Sequence, residues 1–318
     1  NSLSSRKLHI GKEVTRGLGA GMNPDLGRLA AEESKREVEE IVRGADLVFV
    51  TCGFGGGTGT GGAPIVAEIA RNHGALTVAI VTRPFSFEGE ARKRIAEEGL
   101  VRLRKAVDAM IVIPNDRLLN VVERDTTFLA AFAMCDEVLR QAVEGIADLI
   151  ITPGIINVDF ADVRTVLANS GSAIIGIGLA TGRNRAQEAA RMAIHSPLLE
   201  VSAEGAKGIL FTISGRDDLS MWEVQEAAKL ITENVDKEAK IIFGAVQDER
   251  LRKGQVKVTV IASGFPNGFG RNVSLFQSET QFPRGERAST RTSEEAPEAP
   301  ESSEWDSIPA FLRRSKKF

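Results

Sequence analysis

The chain has 318 residues, 42% of them hydrophobic and 26% charged, which suits a globular protein with room for two domains. Its 40 basic and 43 acidic residues give a net charge of -3, so the whole chain lacks the positive charge typical of proteins that bind nucleic acid or anionic membranes. Two distant cysteines and three scattered histidines exclude a disulfide framework and a histidine-built metal site. No apolar run predicts a membrane span and no secretory signal opens the chain, so a reduced, cytoplasmic protein is expected.

The first 20 residues begin at Asn1 without a methionine and contain no strand-like apolar run, which predicts that the chain is a fragment. Beyond them, apolar strand-like runs alternate with amphipathic helical stretches, a pattern typical of a parallel sheet covered by helices on both faces. Strands are predicted at Leu47–Thr51, Leu76–Thr82, Ala109–Ile113 and Ala173–Leu179, and helices at Glu32–Arg43, Ala63–Asn72, Gly89–Lys105, Leu129–Leu149, Ala161–Asn169 and Arg185–Ile194.

The pattern changes near Ile209, where strands with alternating or apolar content surround a single helix. The predicted fold is therefore α/β: a Rossmann-like parallel sheet in a first domain at residues 1–150, including a long central helix, and a smaller α/β domain with a mixed sheet at 151–265. The predicted elements of this second part are the strands Ile209–Ser214, Lys240–Val246 and Val256–Ser263 and the helix Met221–Asn234.

The last part of the chain has a different composition. Residues 283–304 contain no Val, Ile, Leu or aromatic residue, and they carry six Glu against three Arg. Such a segment cannot bury enough apolar surface to offset chain entropy, so 266–304 is predicted to be a disordered linker. Residues 305–318 combine apolar side chains with a basic cluster, which favours a peptide that binds a partner over a frayed end.

The segment CGFGGGTGTGGAP at residues 52–64 holds seven of the 31 glycines and lies between a predicted strand and a predicted helix. Glycines let successive backbone N–H groups approach a phosphate closely, and a helix N-terminus adds positive potential. Thr58 and Thr60 can add hydroxyl donors, and Pro64 suits the first turn of the helix. The segment therefore predicts a phosphate-binding loop.

Three other interpretations of this segment compete. A GxGxxG pattern alone is a weak indication of a dinucleotide fold. A Walker loop requires a lysine that is absent here. A merely flexible loop is disfavoured because a strand and a helix flank it directly.

The string GGGTGTG at residues 55–61 is the tubulin-superfamily signature, and further motifs identify the branch. Together they resemble the FtsZ family, the cell-division GTPases of bacteria and plastids, over nearly the whole chain. These motifs are GLGAGMNPDLGR at 17–28, RPFSFEG at 83–89, IPNDRLL at 113–119, NVDFADVRTV at 157–166 and IPAFLRR at 308–314.

The resemblance implies that GTP or GDP is the ligand. Glu88 and Arg92 would contact the ribose and the neighbouring part of the nucleotide, although their spacing alone suits an ordinary surface ion pair. Asp136 would recognise the guanine edge, and Phe132, one turn earlier, could stack on the base or simply belong to the core. The residues implied to wrap the phosphates are Gly55, Gly56, Gly57, Thr58, Gly59, Thr60 and Gly61, with the closest contacts from Gly57, Thr58 and Gly59.

The resemblance also implies a catalytic loop that acts on the next subunit of a head-to-tail filament. Asp159 and Asp162 would position and polarise the attacking water there, and Asn157 would support the loop. The alternative is N-capping of a helix, which explains one aspartate better than a pair. Mg²⁺ would be held mainly by phosphate oxygens and water, without dedicated protein ligands.

The resemblance further implies a polymer at the mid-cell division ring, tethered through 305–318 to membrane-bound and regulatory division proteins. FtsZ proteins open with a strand and a second glycine turn, and nothing similar precedes Gly17, so this fragment is expected to bind GTP poorly. A non-catalytic scaffold with an incomplete site and a dinucleotide-dependent oxidoreductase are the alternatives. The second is disfavoured because Gly74 to Thr82 contains no acidic residue.

Overall fold

The computed structural model describes residues 3–119, 126–195, 205–233 and 235–265. The chain divides into two units, Asn1–Arg271 and Asn272–Phe318, and every described residue belongs to the first. The predicted linker at 266–304 and the predicted partner-binding peptide at 305–318 lie outside the described residues.

Seven strands of the described chain form one sheet. The strands are β1 (Leu47–Gly53), β2 (Leu76–Arg83), β3 (Ala109–Pro114), β4 (Gly171–Thr181), β5 (Gly208–Gly215), β6 (Lys240–Gln247) and β7 (Gln255–Ser263). Their order across the sheet is β1-β2-β3-β4-β7-β5-β6. β1 to β4 run parallel, β5 and β6 run parallel, and β7 lies antiparallel between β4 and β5.

Nine α-helices are present among the described residues. They are α1 (Pro24–Glu33), α2 (Lys35–Val42), α3 (Thr58–Asn72), α4 (Glu90–Ala106), α5 (Asn115–Leu119), α6 (Phe128–Ile151), α7 (Phe160–Leu167), α8 (Arg185–Ile194) and α9 (Met221–Thr232). A 3₁₀ turn at Ser86–Glu88 precedes α4. No helix in the described ranges has the length and apolar content needed to cross a bilayer.

The prediction of an α/β fold is confirmed, and all seven predicted strands are present within two residues at each end. β2 shows why they were predictable, because both of its faces are buried. Val78 and Ile80 pack into the core cluster that includes residues of α6 and α7, while Ala79 and Val81 pack against α3 and α4. Continuous apolar runs of this kind are typical of parallel strands covered on both sides.

The predicted boundary between residues 1–150 and 151–265 falls at the end of α6. Pairing between β3 and β4, from Ala109–Gly171 to Ile111–Ala173, joins the two predicted parts in one sheet. The division into domains therefore stays a prediction.

The predicted helix Glu32–Arg43 is two helices, α1 and α2, separated at Ser34. α1 begins at Pro24, eight residues earlier than predicted. The Asn23 side-chain oxygen accepts hydrogen bonds from the N–H groups of Asp25 and Leu26, at 3.0 and 3.4 Å. An asparagine cap followed by proline is a recognisable helix start, so the sequence contained this signal.

The prediction that the glycine-rich helix begins near Ala63 is wrong. α3 begins at Thr58, and Pro64 lies inside it rather than in its first turn. The reason is close packing against α1, because a Cβ atom on Gly61 would lie only 1.9 Å from the carbonyl oxygen of Pro24. The close packing of α1 on α3 that glycine permits here stabilises a helical turn that glycine propensity alone disfavours.

Candidate nucleotide site

The glycine loop leads from the carboxyl end of β1 into α3. The Phe54 N–H donates to the Thr82 carbonyl oxygen at 2.9 Å, which ties the start of the loop to β2. Gly55 has a φ of +102°, a conformation that glycine tolerates and other residues rarely adopt. Its N–H donates to the Thr60 hydroxyl oxygen at 2.9 Å. The buried Thr60 hydroxyl, a predicted phosphate donor, thus faces into the loop.

Three glycines of the loop are required by contacts within the protein. A Cβ on Gly57 would lie 2.7 Å from the carbonyl oxygens of Ala20 and Asn23, and one on Gly59 would lie 2.6 Å from that of Gly53. A Cβ on Gly61 would lie closer still to its neighbour, the Pro24 carbonyl oxygen of α1. The sequence indicates phosphate approach as the purpose of these glycines, and the structure adds a packing role.

The open side of the loop is formed by other members of the same motif. Thr58 is exposed as the first residue of α3, and a Cβ on Gly56 would find its nearest neighbour, the Gly21 carbonyl oxygen, at an ordinary 3.9 Å. The first N–H groups of a helix have no carbonyl partner one turn back, and they carry partial positive charge. The arrangement suits an anion such as a phosphate at the start of α3.

A cavity of about 350 Å³ opens beside Thr58. Its lining includes Lys12 and Arg16, two exposed basic residues that sequence reasoning did not single out. Arg16 has a left-handed φ of +52°, which is uncommon outside glycine. The available signal was Arg16 directly before the GLGAG string at 17–21, with Lys12 four residues earlier.

Glu88 and Arg92 form the ion pair that their spacing predicts. The Arg92 guanidinium donates to Glu88 Oε2 at 2.9 Å, and the other Glu88 oxygen accepts from the Phe85 N–H at 2.9 Å. Arg92 is also next to the glycine loop, because a Cβ on Gly55 would lie 3.1 Å from its carbonyl oxygen. The structure thus brings Arg92 to the loop, while both side chains are engaged with the turn.

An aspartate that sequence reasoning missed holds the same turn. Asp116 accepts hydrogen bonds from both the N–H and the hydroxyl of Ser86, 30 residues away. Asp116 belongs to the IPNDRLL motif, so the motif itself was the available signal. This contact connects α5 to the turn that carries Glu88.

Phe132 and Asp136 lie one turn apart on α6. The Phe132 ring packs edge-on against Phe85 with centroids 5.3 Å apart, and it remains 37% exposed. Asp136 is exposed on the same helix, after the buried Cys135. A half-exposed aromatic ring beside an exposed carboxylate is compatible with both interpretations of Phe132, base stacking and packing.

Asp159 and Asp162 cap the start of α7 reciprocally. Asp159 Oδ1 accepts from the Asp162 N–H at 2.9 Å, and Asp162 Oδ2 accepts from the Asp159 N–H at 3.4 Å. Capping therefore involves both carboxylates, although it was expected to explain one aspartate better than a pair. Each carboxylate keeps one oxygen outside this box. Asn157 accepts from the Gly154 N–H at 2.7 Å, which braces the preceding loop.

The glycine loop and the chain on either side of α7 bond to different parts of the sheet. The glycine loop follows β1, the first strand in the sheet order, and its Phe54 N–H bonds to β2. The segment before α7 bonds through Ile155 and Ile156 to Ala245 of β6, the strand at the other side of the sheet. Asn169, after α7, bonds to Asp108. Among the described residues, no hydrogen bond joins Asp159 or Asp162 to the glycine loop.

Comparison with known proteins agrees with this geometry. Residues 1–123 match the GTPase domain of the Tubulin/FtsZ family, and residues 171–266 match the C-terminal domain of the FtsZ family. The structure is similar to an empty FtsZ dimer from M. jannaschii, with a TM-score of 0.76 and 48% sequence identity over 80% of this chain and 74% of that one. The chain belongs to the FtsZ family.

Two more distant structures from Haloferax volcanii share the fold. CetZ1, a GDP-bound monomer, has a TM-score of 0.68 and 24% identity, covering 81% of this chain and 78% of that one. CetZ2, a protofilament with GTPγS bound, has a TM-score of 0.68 and 22% identity, covering 82% and 79%. At these identities the likeness concerns the fold alone.

Membership of the FtsZ family makes this chain a GTPase whose nucleotides are GTP and GDP. The oxidoreductase alternative is therefore wrong, because the glycine loop belongs to a tubulin/FtsZ GTPase domain. FtsZ dimers such as the M. jannaschii one support self-association. The prediction of a polymerising cytoskeletal GTPase agrees with both findings.

The Thr58 hydroxyl is the part of the glycine loop that fits a nucleotide-bound Mg²⁺, and the metal itself stays a prediction. Among the described residues, no three His, Cys, Asp or Glu side chains cluster as metal ligands. Mg²⁺ prefers hard oxygen ligands and usually keeps several waters. Phosphate oxygens and water would supply most ligands, and Thr58 offers an exposed hydroxyl beside the loop.

Proposed function

We propose that this protein is the polymerising GTPase of a cell-division ring and that it hydrolyses GTP at contacts between subunits. One subunit would bind the nucleotide at its glycine loop, and the next would supply Asp159 and Asp162. The observation that carries this proposal is the separation of the glycine loop, which follows β1, from the segment before α7, which bonds to β6 at the other side of the sheet. The carboxylates at the start of α7 each have an oxygen left over from capping, and within one subunit they would lie without a substrate.

The proposed reaction is the attack of water on the γ-phosphorus of GTP. A new P–O bond forms, the bond to the β–γ bridging oxygen breaks, and GDP and phosphate leave. Phosphoryl transfer depends on positioning and charge stabilisation more than on a strong base. The free oxygens of Asp159 and Asp162 would orient the water and receive its proton, while the backbone N–H groups of Gly56, Thr58 and Gly59 would bind the phosphates. The Gly57 N–H already donates to the Gly21 carbonyl oxygen at 2.6 Å, so Gly57 would shape the loop instead. Asn157 would hold the loop before α7 in place, and bound Mg²⁺ would neutralise phosphate charge.

We propose that Asp136 selects guanine. A carboxylate accepts hydrogen bonds from both the N1–H and the exocyclic amine of guanine, a donor pair that adenine lacks. Phe132 would cover the base and the Glu88–Arg92 pair would line the ribose side. Asp136→Ala should weaken GTP binding more than ATP binding. Equal losses for the two nucleotides would remove Asp136 from this role.

We further propose that the protein works at the cytoplasmic mid-cell ring, in head-to-tail filaments. Residues 305–318 would recruit membrane-tethering and regulatory division proteins, since apolar anchors behind a flexible linker suit reversible binding. Deletion of Ile308–Phe318 should abolish capture of the tether protein and leave GTP turnover unchanged. Continued capture by the shortened protein would contradict the assignment.

The experiment for catalysis in trans uses Asp162→Asn in the full-length protein. Asparagine keeps an oxygen that can accept from the Asp159 N–H, so α7 keeps its cap while the charge is lost. We expect GTP affinity to stay within about twofold and turnover to fall by 10²–10³-fold, the size measured when one stabilising group is removed from an active site. Glu40→Ala, which removes an exposed carboxylate of α2 outside the motifs, is the matched control.

Complementation then separates the two ends of the subunit. Thr58→Arg blocks the loop but leaves α7 intact, whereas Asp162→Asn keeps an intact loop. In an equal mixture, some contacts therefore join the intact loop of Asp162→Asn to the intact carboxylates of Thr58→Arg. Such a mixture should recover part of the turnover. Absence of recovery, or loss of GTP binding by Asp162→Asn alone, would overturn the in-trans mechanism.

A further inference from the structure

The far end of α7 is held by three polar residues that the proposed mechanism does not use: Arg71, Asp108 and Asn169. Arg71 lies in the last turn of α3, Asp108 directly precedes β3, and Asn169 follows α7. We call these residues the α3–α7 node. α3 begins at the glycine loop and is 15 residues long, so it extends about 22 Å from the loop to the node.

Arg71 uses its fork to join three chain segments. Its Nη2 donates to the Asn169 side-chain oxygen at 2.7 Å, and its Nη1 donates to the Lys105 carbonyl oxygen at 3.1 Å. Its Nε lies 3.8 Å from Asp108 Oδ1. The planar guanidinium can make these contacts together, whereas lysine has only a single point charge.

Asp108 is 7% exposed and both of its oxygens are engaged. Oδ2 accepts from the Thr77 N–H at 2.9 Å, and Oδ1 accepts from the Asn169 N–H at 3.3 Å. Asn169 has a left-handed φ of +52°, a conformation that asparagine adopts more readily than most residues. The node therefore fixes the backbone where α7 turns into β4.

A second contact ties α7 to the end of α3. Arg164, in the last turn of α7, donates to the Gly74 carbonyl oxygen at 3.1 Å, and its guanidinium lies 5.4 Å from the centroid of the Phe160 ring. Phe160 is the first residue of α7, next to the Asp159 cap. The contacts at the end of α7 thus reach back to the turn that carries the carboxylates.

We propose that Arg71 is a positioning residue for hydrolysis, which sets α7, and with it Asp159 and Asp162, for delivery to the neighbouring subunit. This inference rests on the in-trans function proposed above. α7 has eight residues and is about 12 Å long, so a shift at the node moves the carboxylates as one rigid body. A displacement of about 1 Å at a reacting centre can cost a factor of 10² in rate.

The test replaces Arg71 by Gln, which keeps much of the side-chain length and removes the charged fork. We expect kcat for GTP to fall about 10- to 100-fold, as for a small misplacement of reacting groups, with unchanged KM and a Tm lowered by only a few degrees. Arg36→Gln, at an exposed arginine of α2, is the matched control and should keep full turnover. Asn169→Gly keeps the left-handed backbone and removes the same hydrogen bond, so it should reproduce the defect, and the double variant should be no slower than either single one.

Mixing identifies the end of the subunit at which Arg71 acts. Arg71→Gln keeps an intact glycine loop, and Thr58→Arg keeps correctly placed carboxylates. Mixing these two variants should therefore restore turnover at the contacts between them. Mixing with Asp162→Asn should restore nothing, because neither variant then supplies a well-placed α7. The opposite pattern would show that Arg71 acts through its own glycine loop and would overturn the proposal, as would full activity of both node variants. If Thr58→Arg and Asp162→Asn fail to complement each other, the in-trans function itself is wrong.

Discussion

The glycine loop and the start of α7 differ in the atoms that form them and in the substitutions that they tolerate. The loop is formed mainly by backbone atoms. Gly57 and Gly61 lie close to the backbone at the start of α1, and the buried Thr60 hydroxyl accepts a hydrogen bond from the Gly55 N–H. The start of α7 is made from side chains, because Asp159 and Asp162 cap each other at the surface. At Gly57 and Gly61 the phosphate loop therefore depends on packing that permits no added atom, whereas the carboxylates depend on charge and can be changed without disturbing the core.

The largest expected effect tests the packing half of this contrast. Gly61→Ala would place a methyl group 1.9 Å from the Pro24 carbonyl oxygen, so α1 and α3 must separate. Gly62→Ala is a matched control one residue away, because its nearest neighbour would be at an ordinary 3.5 Å and alanine favours a helix. We expect Gly61→Ala to lose at least about 3 kcal/mol, in the range of severe overpacking, and to lose GTP binding.

Chemical denaturation and nucleotide titration of both variants provide the measurement. Gly62→Ala should be as stable as the parent or slightly more stable. Similar losses in the two variants would mean that the loop is sensitive to any added methyl group and not to this one contact.

The second prediction tests the side-chain half at Asp159. Asp159→Asn keeps an N-cap oxygen, so Tm should not change, while turnover should fall by 10²–10³-fold if its charge serves the reaction. Asp159→Ala should show the same loss of turnover together with about 1 kcal/mol of lost stability. Thermal unfolding and steady-state GTP hydrolysis distinguish the two effects. Normal turnover in Asp159→Asn would reduce this aspartate to a helix cap.

The same contrast explains how far the sequence could predict this molecule. The strands were predictable because burial on both faces requires unbroken apolar runs, as in β2. The start of α3 was not, because the partner of Gly61 is Pro24, and 37 positions separate them in the chain. Local propensity disfavours helical glycine and contains no information about that contact.

The site residues show the same limit. The glycine motif and the paired aspartates are local strings, so sequence alone could select both as candidates. Asp116 and the α3–α7 node could not be predicted in this way, since Ser86 and Asp116 meet across 30 residues and Arg71 and Asn169 meet across 98. Their contacts follow from the order of the parallel strands, which spacing in the sequence does not give.

The third prediction compares the two threonines of the loop. Thr60→Val leaves the Gly55 N–H without its buried acceptor, which should cost about 1–3 kcal/mol of stability. Thr58→Val removes an exposed hydroxyl, so its stability should change by less than about 0.5 kcal/mol. We therefore expect Thr58→Val to weaken GTP binding without changing the urea midpoint, and Thr60→Val to lower the urea midpoint. Equal stability of the two variants would contradict the view that the Thr60 hydroxyl stabilises the loop by accepting from the Gly55 N–H.

The smallest expected effect uses Cys52 as a reporter of the same packing. Its Sγ lies 3.8 Å from the Gly59 carbonyl oxygen, and burial raises the pKa of the thiol to about 12. The raised pKa favours the protonated thiol in the folded state, so this stability is complete below the unfolded value near 9 and declines as pH rises towards 12. In a Cys135→Ser background, alkylation by iodoacetamide at pH 8 should be slow, should accelerate on unfolding in urea, and should slow further when GTP holds the loop closed. Between pH 9 and 11 the stability of this single-cysteine protein should fall faster than that of a variant that also carries Cys52→Ala. Rapid alkylation of the folded protein, with no response to GTP, would mean that the loop opens readily and that its packing does not confine the thiol.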